Sequence, residues 1–198
     1  MDIVIASKNK GKVKEIKAFF EDSLDINWLT FEDFSSFPDI KESGSSFLEN
    51  AKLKAKAISE YTCILTLADD SGLIVDALDG RPGVKSSRYA GAGATDKDNR
   101  VKLLNELNGI YGKKKRTARF VCSMILWDPK KGFVFKSSGI CEGHIGIVEK
   151  GAYGFGYDSI FIPAGFKRTM AQLFQGEKNK ISHRGKALMG IKKFLLAK

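Results

Sequence analysis

The sequence predicts an α/β fold, with an elongated mixed sheet flanked by helices, and three observations support this class. Short apolar runs of strand length alternate along the chain with segments in which apolar residues recur at helical spacing. The connections between the first strands are long enough to hold helices, which favours parallel pairing there. Residues 117–148 instead contain strand-like runs joined by turn residues, which favours an antiparallel portion.

The N-terminal elements follow from a change of pattern at a polar loop. Residues 3–6 form an apolar run of strand length, which ends in the polar loop 7–12 and is followed by a helical pattern. A second strand is expected near 26–31. A helix then begins at about Ser46, because Ser46 and Glu49 stand at the spacing of a capping box.

The middle of the chain combines two apolar strands with an acidic segment. Residues 63–68 and 73–78 are predicted strands, and the Asp-Asp-Ser-Gly sequence at 69–72 is predicted to form a turn between them. Thr95 and Asp98 predict the start of a further helix by the same capping logic as above. We therefore expect the two aspartates to lie where a buried strand ends.

The C-terminal third predicts a hairpin and a last helix. Residues 118–127 and 133–138 flank a Pro- and Gly-containing turn, and a further strand is expected around 139–148. The glycine-rich stretch 151–158 precedes a short strand. Ser182 can cap a final amphipathic helix.

Composition limits the class of protein and its compartment. The 198 residues contain no linker, repeat or low-complexity segment, so we expect a single domain over residues 1–198. No apolar run approaches membrane-spanning length and the first residues lack a signal-peptide pattern, so a cytoplasmic protein that does not bind membranes is expected. The three cysteines, Cys63, Cys122 and Cys141, are widely separated and are interpreted as reduced core thiols.

The formal net charge of +10 favours an anionic partner without identifying it. Nucleic acid, a nucleotide, an acidic membrane surface and simple solubility all remain compatible with this charge. A nucleic-acid-binding function would depend on the basic run 113–116, which is more simply interpreted as a solvated loop. We therefore expect no nucleic-acid partner.

The loop after the first strand is a candidate phosphate site. It differs from a P-loop because Ala6 replaces the first glycine and Val13 replaces the metal-binding Ser or Thr. Backbone N–H groups at a helix N-terminus, together with lysines, nevertheless suit a phosphate. An ordinary capped helix with solvated lysines has about equal weight. The candidate residues are Ser7, Lys8, Asn9, Lys10, Gly11 and Lys12.

The acidic segment is a candidate metal site. Two carboxylates at the end of a buried strand need a compensating cation or hydrogen-bond donors, and Mg²⁺ is the obvious cation. A simple β-turn stabilised by Asp side chains is the alternative. Glu42 is preferred over Glu49 as the second carboxylate, because the capping position of Glu49 is enough to explain a carboxylate there.

Two later segments suggest binding of an aromatic base. The sequence Gly154-Phe155-Gly156-Tyr157-Asp158 lacks the third glycine of a dinucleotide motif, and its aromatic residues suggest a stacking ledge, with core packing as the alternative. His183 and Arg184 lie at a helix start and could donate hydrogen bonds to a polar ring or a phosphate.

Six motifs in this order resemble one enzyme family, the inosine/xanthosine triphosphate pyrophosphatases, over nearly all of residues 3–195. They are Ser7-x-Asn9-x-x-Lys12, Phe47-x-Glu49-Asn50, Ala68-Asp69-Asp70-Ser71-Gly72-Leu73, Pro82-Gly83 with Ser87-Arg88-Tyr89, Phe155-Gly156-Tyr157-Asp158, and Glu177-Lys178 with Ile181-Ser182-His183-Arg184. The resemblance implies a Mg²⁺-dependent, homodimeric, cytoplasmic enzyme. It would hydrolyse ITP, dITP and XTP to the monophosphate and pyrophosphate and so cleanse the nucleotide pool.

The resemblance also implies two lobes with the active site in a cleft, and a role for each motif. The loop 7–12 and Lys178 would contact phosphates, Glu42 and Asp70 would bind the metal, and Ser71 would contact substrate. Asp70 would also be the general base. The base would be held by Phe155, Gly156, Tyr157 and Asp158, with Phe155 stacking on it, while His183 and Arg184 would read its 6-oxo edge.

Overall fold

The computed structural model describes residues 1–21 and 25–197 and confirms the α/β class. The strands are β1 (Asp2–Ile5), β2 (Asn27–Leu29), β3 (Thr66–Val75), β4 (Thr117–Asp128), β5 (Gly132–Ile145) and β6 (Phe161–Pro163). The helices are α1 (Lys10–Phe20), α2 (Phe47–Thr62), α3 (Asp96–Glu106), α4 (Gln175–Ile181) and α5 (His183–Leu196). In the described residues, no helix has the length and apolarity that crossing a membrane would require.

The six strands form one mixed sheet in the order β2-β1-β3-β4-β5-β6. β1 pairs in parallel with β2 and β3, and β5 pairs antiparallel with β6. β4 and β5 are neighbours joined by three residues, a connection that only antiparallel strands allow. The prediction of a parallel portion followed by an antiparallel hairpin is thus confirmed.

The chain divides into two compact units. The first unit contains Met1–Asp70, Cys122–Gly139 and Arg184–Lys198, and the second contains Ser71–Val121 and Ile140–His183. In the first unit, alternation along the strands separates two apolar clusters. Ile5 and Leu67 pack with residues of α1 and α5, whereas Ala6 and Ala68 pack with residues of α2.

The second unit has a single large apolar cluster, which includes Leu73 and Val75 of β3, Leu103 of α3 and Phe161 of β6. The predicted start of α3 is confirmed, because Thr95 and Asp98 form both hydrogen bonds of a capping box. Helix α4, which the sequence patterns did not predict, also lies in this unit.

The predicted turn at residues 69–72 is wrong. β3 runs without a break from Thr66 to Val75, through both aspartates. A strand can continue through two carboxylates that are both nearly fully buried because cationic side chains compensate them, as described below, so no turn to solvent is needed. The strands expected at 133–138 and 139–148 are likewise one strand, β5.

The cysteine prediction is confirmed for two of three residues. Cys122 and Cys141 are buried free thiols, whereas Cys63 is an exposed free thiol. Cys63 does not begin a strand but ends α2 in a left-handed conformation, with φ of 57°. Its position outside the core follows from this capping role.

Candidate active site

The loop that follows β1 is shaped by its own polar side chains. Asn9 caps α1, and its side-chain oxygen accepts a hydrogen bond of 3.1 Å from the N–H of Lys12. The Ser7 hydroxyl oxygen accepts one of 3.2 Å from the N–H of Asn9. Lys8 and Lys10 are exposed and pair with surface carboxylates. Only the Lys12 side chain is directed toward buried carboxylates.

Parallel pairing brings this loop beside the two aspartates of β3. Val4 and Ile5 are in register with Thr66 and Leu67, so the residues that follow Ile5 lie next to the residues that follow Leu67. The Nζ of Lys12 accordingly lies 3.0 Å from a carboxylate oxygen of Asp69. The phosphate-loop candidate and the acidic candidate are therefore one site in the first unit.

Asp69 belongs to the face of β3 that packs on α1 and α5. Its carboxylate contacts Lys12 and, at 3.4 Å, the guanidinium of Arg184, which in turn pairs with Glu15 at 2.5 Å. Burial alone would raise the pKa of Asp69, but Lys12 and Arg184 outweigh it and hold that pKa well below its usual range. Burial would lower the pKa of Arg184, yet Glu15 and Asp69 raise it.

Asp70 belongs to the opposite face of β3, toward α2. It accepts a hydrogen bond of 3.1 Å from Asn50, and the Nζ of Lys54 lies 3.6 Å from its other oxygen. Lys54 also donates to Glu42 at 2.7 Å. Burial raises the pKa of Asp70 and Glu42 adds to the rise, although Lys54 and Lys12 oppose it. Adjacent residues thus have opposite protonation tendencies, because successive side chains face different surroundings.

The donor set around Asp70 suits Mg²⁺. In the described residues no three His, Cys, Asp or Glu side chains are grouped as a metal site. Glu42 and Asp70 nevertheless converge on one ammonium group, that of Lys54. Mg²⁺ is usually bound through one or two carboxylates together with substrate phosphates, so two carboxylates that share one cation fit this ion.

Glu49 does not share this cluster. Its carboxylate accepts hydrogen bonds from the N–H and the hydroxyl of Ser45, at 2.7 and 2.8 Å, and these bonds lower its pKa. Glu49 thus has a local structural role, and the preference for Glu42 as the metal carboxylate stays a prediction.

The base-binding candidates lie in the second unit, around the turn 154–158. The carboxylate of Asp158 accepts hydrogen bonds from the N–H of Phe155, at 3.1 Å, and from the Nζ of Lys178, at 2.8 Å. Lys178 also lies 5.4 Å from the centre of the Phe155 ring. A Cβ on Gly154 would collide with Asp158, so this turn closes tightly on its own ion pair.

Two further aromatic side chains of the second unit, Tyr157 and His183, make defined contacts. The Tyr157 hydroxyl donates a hydrogen bond of 2.8 Å to the carbonyl oxygen of Ser86, and burial raises the pKa of Tyr157. His183 stacks on Phe120, with ring centres 4.7 Å apart. Tyr157 is 4% exposed, whereas Phe155 is only partly buried.

The structure separates residues that are neighbours in the motifs. Ser71 follows Asp70 but is the first residue of the second unit, and His183 is the last residue of that unit, whereas Arg184 belongs to the first. Lys178, expected at the phosphates, lies with Asp158 and Phe155. The substrate roles of these residues stay predictions.

Three charged or polar residues of the site were missed by sequence analysis: Glu15, Asn50 and Lys54. Each had a positional signal. Glu15 stands three residues after Lys12 on α1, and Lys54 stands four residues after Asn50 on α2, so each pair shares a helix face. Such residues can be recognised in a sequence as polar residues on the apolar face of a helix, and Asn50, which is fully buried, is the clearest example.

The basic run 113–116 divides into two parts. Lys113–Lys115 form an exposed helical turn. Arg116 is 4% exposed and donates hydrogen bonds to four backbone carbonyl oxygens, those of Leu107, Ile110, Ile145 and Gly146. The fourth cation of the run therefore has a structural role rather than presenting charge to a polymer.

Comparison with known proteins gives a consistent result over the whole chain. A dITP/XTP pyrophosphatase of Oceanobacillus iheyensis is 48% identical over 194 residues, covering 98% of this chain and 97% of that protein. A dITP/XTP pyrophosphatase of Halalkalibacterium halodurans is 49% identical over 193 residues, covering 97% of each.

Solved structures agree with these relatives. A HAM1 protein from Coxiella burnetii is 40% identical, with a TM-score of 0.88 and complete coverage of both chains. The Ham1 protein of Staphylococcus aureus is 38% identical, with a TM-score of 0.86 over 100% of this chain and 99% of that one. The sequence profile of the Ham1 family matches residues 3–194, and the chain therefore belongs to the Ham1 family.

Proposed function

We propose that this chain hydrolyses the deaminated purine nucleoside triphosphates ITP, dITP and XTP to the monophosphate and pyrophosphate, and so cleanses the nucleotide pool. The relatives at 48% and 49% identity bear the name dITP/XTP pyrophosphatase. The chain is accordingly a nucleoside triphosphate pyrophosphatase. The observation that carries the proposal is that Lys12 of the loop 7–12 pairs with Asp69, while Glu42 and the adjacent Asp70 share the ammonium group of Lys54.

The first unit would bind the triphosphate. The N-terminus of α1 presents backbone N–H groups, and Asn9 holds this turn in place. Lys12 and Lys54 would move part of their interaction from protein carboxylates to phosphate oxygens. Neutralising phosphate charge is the larger requirement of phosphoryl transfer, because this reaction depends mainly on positioning and electrostatics.

Glu42 and Asp70 would hold Mg²⁺, which supplies positive charge to the phosphate oxygens when bound. Lys54 would then be released from the two carboxylates toward the substrate. Asp70 would act as the general base, accepting a proton from water as the bond between the α- and β-phosphates breaks. Asn50 orients the Asp70 carboxylate by donating a hydrogen bond of 3.1 Å to one of its oxygens.

The second unit would bind the base. Phe155 would stack on the purine, and Lys178 and His183 would offer donors to a 6-oxo group. ATP would present a 6-amino donor instead, and unmet buried hydrogen bonds can discriminate by about 10⁴-fold. Arg184, which pairs with Glu15 and Asp69, would be a further donor to the base.

The homodimer and the cytoplasmic location implied by the resemblance belong to the same proposal. Equilibrium sedimentation of the purified protein would test the dimer, for which a mass twice that of the 21.8 kDa chain is expected. A monomer at micromolar concentration would contradict it.

The experiment that tests the activity is pyrophosphate release from ITP, dITP, XTP, ATP and GTP, each with and without Mg²⁺. We expect release from the first three nucleotides only, and only with Mg²⁺. Equal kcat/KM for ATP and ITP would refute the base selectivity, whereas undiminished release in EDTA would refute the metal requirement.

A further inference from the structure

Two side chains of helix α3 form hydrogen bonds with the turn that carries Phe155. The carboxylate of Asp96 accepts a hydrogen bond of 2.7 Å from the N–H of Gly156. The guanidinium of Arg100 donates one of 2.8 Å to the carbonyl oxygen of the same glycine. Asp96 and Arg100 are four residues apart, one turn of helix, so a single helix face holds both polar groups of Gly156.

Gly156 is the point at which this turn depends most on outside support. Its φ is +61°, in the left-handed region, and a Cβ built there would meet nothing within 4 Å. Glycine is therefore needed for its backbone conformation and not for lack of space. Because glycine is also the most flexible residue in an unrestrained chain, the two hydrogen bonds from α3 restrict the conformation of Gly156 within this turn.

Both Asp96 and Arg100 are held in place by neighbouring interactions. Arg100 makes a second contact, donating at 2.8 Å to Glu149, which also accepts a hydrogen bond of 2.9 Å from the hydroxyl of Ser159. The capping box of Thr95 and Asp98 fixes the start of α3, next to Asp96. Both bonds to Gly156 involve a charged partner, and such bonds are stronger than neutral ones.

We propose that Asp96 and Arg100 are positioning residues for the nucleobase, acting through Gly156 on the ring of Phe155. The inference rests on the proposed function of the 154–158 turn as the base site. Phe155 precedes Gly156 and Asp158 lies two residues after it, so a rotation at Gly156 would change the angle between the ring and the Asp158–Lys178 pair. Neither α3 side chain needs to touch the substrate.

The main test is steady-state kinetics of Arg100→Ala with ITP. Loss of a charged hydrogen bond that orders the site is expected to raise KM about tenfold. The kcat should stay within about twofold of wild type, because the groups proposed for the chemistry lie in the first unit.

Two further variants test the same contacts. Asp96→Ala removes the other hydrogen bond to Gly156 and should likewise raise KM with little change in kcat. Arg100→Lys should have a KM between those of wild type and Arg100→Ala. A lysine ammonium lacks the planar guanidinium geometry with which Arg100 donates to Gly156 and Glu149 at once.

Arg119→Ala is the matched control. Arg119 is in the same unit and also makes a 2.8 Å ion pair, with Asp76, but does not contact the turn. We expect its KM for ITP to stay within about twofold of wild type, as is usual for an exposed pair. Hydrogen exchange should become faster at residues 154–158 in Arg100→Ala and not in Arg119→Ala.

A double mutant separates positioning from general damage. If Arg100 acts only through Phe155, Arg100→Ala should change KM by less than about twofold in a Phe155→Ala background. Effects that multiply instead would overturn the proposal, as would a normal KM in Arg100→Ala and Asp96→Ala when Phe155→Ala raises KM. If Phe155→Ala itself leaves KM unchanged, the base site is not at this turn, and the proposed function of the turn fails together with the inference.

Discussion

The two units hold their candidate residues by different means. In the first unit, three cations (Lys12, Lys54 and Arg184) are interleaved with four carboxylates (Glu15, Glu42, Asp69 and Asp70). In the second unit, the candidate site consists of the Lys178–Asp158 pair, aromatic rings and hydrogen bonds to the backbone. Charge organises one region, whereas stacking and backbone conformation organise the other.

This difference has an energetic consequence. The charged groups of this first-unit cluster are buried or partly buried against partners. Removing one leaves another charge uncompensated, and this costs more free energy than the pair contributes. Such a cluster is poised for a ligand that brings both negative phosphates and a divalent cation. The second unit has little charge to redistribute, and it suits a flat, uncharged ring.

The largest expected effect concerns chemistry in the first unit. Asp70→Asn keeps the size of the side chain but removes the proton acceptor, so the kcat for ITP should fall by about 10²–10⁴-fold with little change in stability. Asp76→Asn, which alters an exposed ion pair with Arg119, is the control and should retain wild-type kcat. Wild-type turnover in Asp70→Asn would assign the base to another residue and remove the functional contrast between the units.

The next effect concerns stability. Arg184→Met leaves the buried Glu15 without its close cation and should lower the free energy of unfolding by about 3–5 kcal/mol in urea titrations. Arg168→Met is the comparison in the second unit. Its 2.6 Å pair with Glu177 is exposed, so a loss of less than about 1 kcal/mol is expected. Equal losses would show that burial of charge does not distinguish the two regions.

The fold class could be predicted from the sequence because it follows from local periodicity, as the capping boxes and apolar runs illustrate. The continuity of β3 could not. Asp-Asp-Ser-Gly is a turn sequence by composition, and it stays extended only because Lys12, Lys54 and Arg184 arrive from three distant segments. Local patterns carry no information about such compensation.

The candidate site divides in the same way. Lys12, Glu42, Asp69 and Asp70 are next to recognisable sequence boundaries. In the structure Lys12 pairs with Asp69, while Glu42 and Asp70 share the ammonium group of Lys54. Glu15, Asn50 and Lys54 lie inside helices, where a charged residue is usually interpreted as solvent-facing. Their role follows only from the face of β3 that each helix covers.

A third prediction tests whether Lys54 and Mg²⁺ compensate the same carboxylates. Lys54→Met should lower the free energy of unfolding by about 2 kcal/mol without metal, because Glu42 and Asp70 then lack their shared cation. Added Mg²⁺ should raise the melting temperature of this variant more than that of wild type. Lys56→Met, on the same helix but paired only with the exposed Glu60, should respond to Mg²⁺ as wild type does. An equal response in all three proteins would place the metal elsewhere.

The smallest expected effect concerns Tyr89 in the second unit, where a neutral group rather than a charge is stabilised. Its hydroxyl donates to Glu106, and burial together with that carboxylate raises the pKa of Tyr89 from 10.0 to about 12. Because the folded state holds this proton more tightly, the contribution of the hydroxyl to stability is complete below about pH 10 and is lost as the pH rises toward 12.

Tyr89→Phe should therefore be less stable than wild type by about 1 kcal/mol at neutral pH. This difference should shrink in urea titrations as the pH rises from 9 to about 11, because tyrosine in the unfolded chain ionises in this range. Lys102 lies over the ring of residue 89 and is present in both proteins, so its contribution cancels in the comparison. A difference that stayed constant with pH would show that folding does not raise the pKa of Tyr89, and would contradict stabilisation of its neutral form by Glu106.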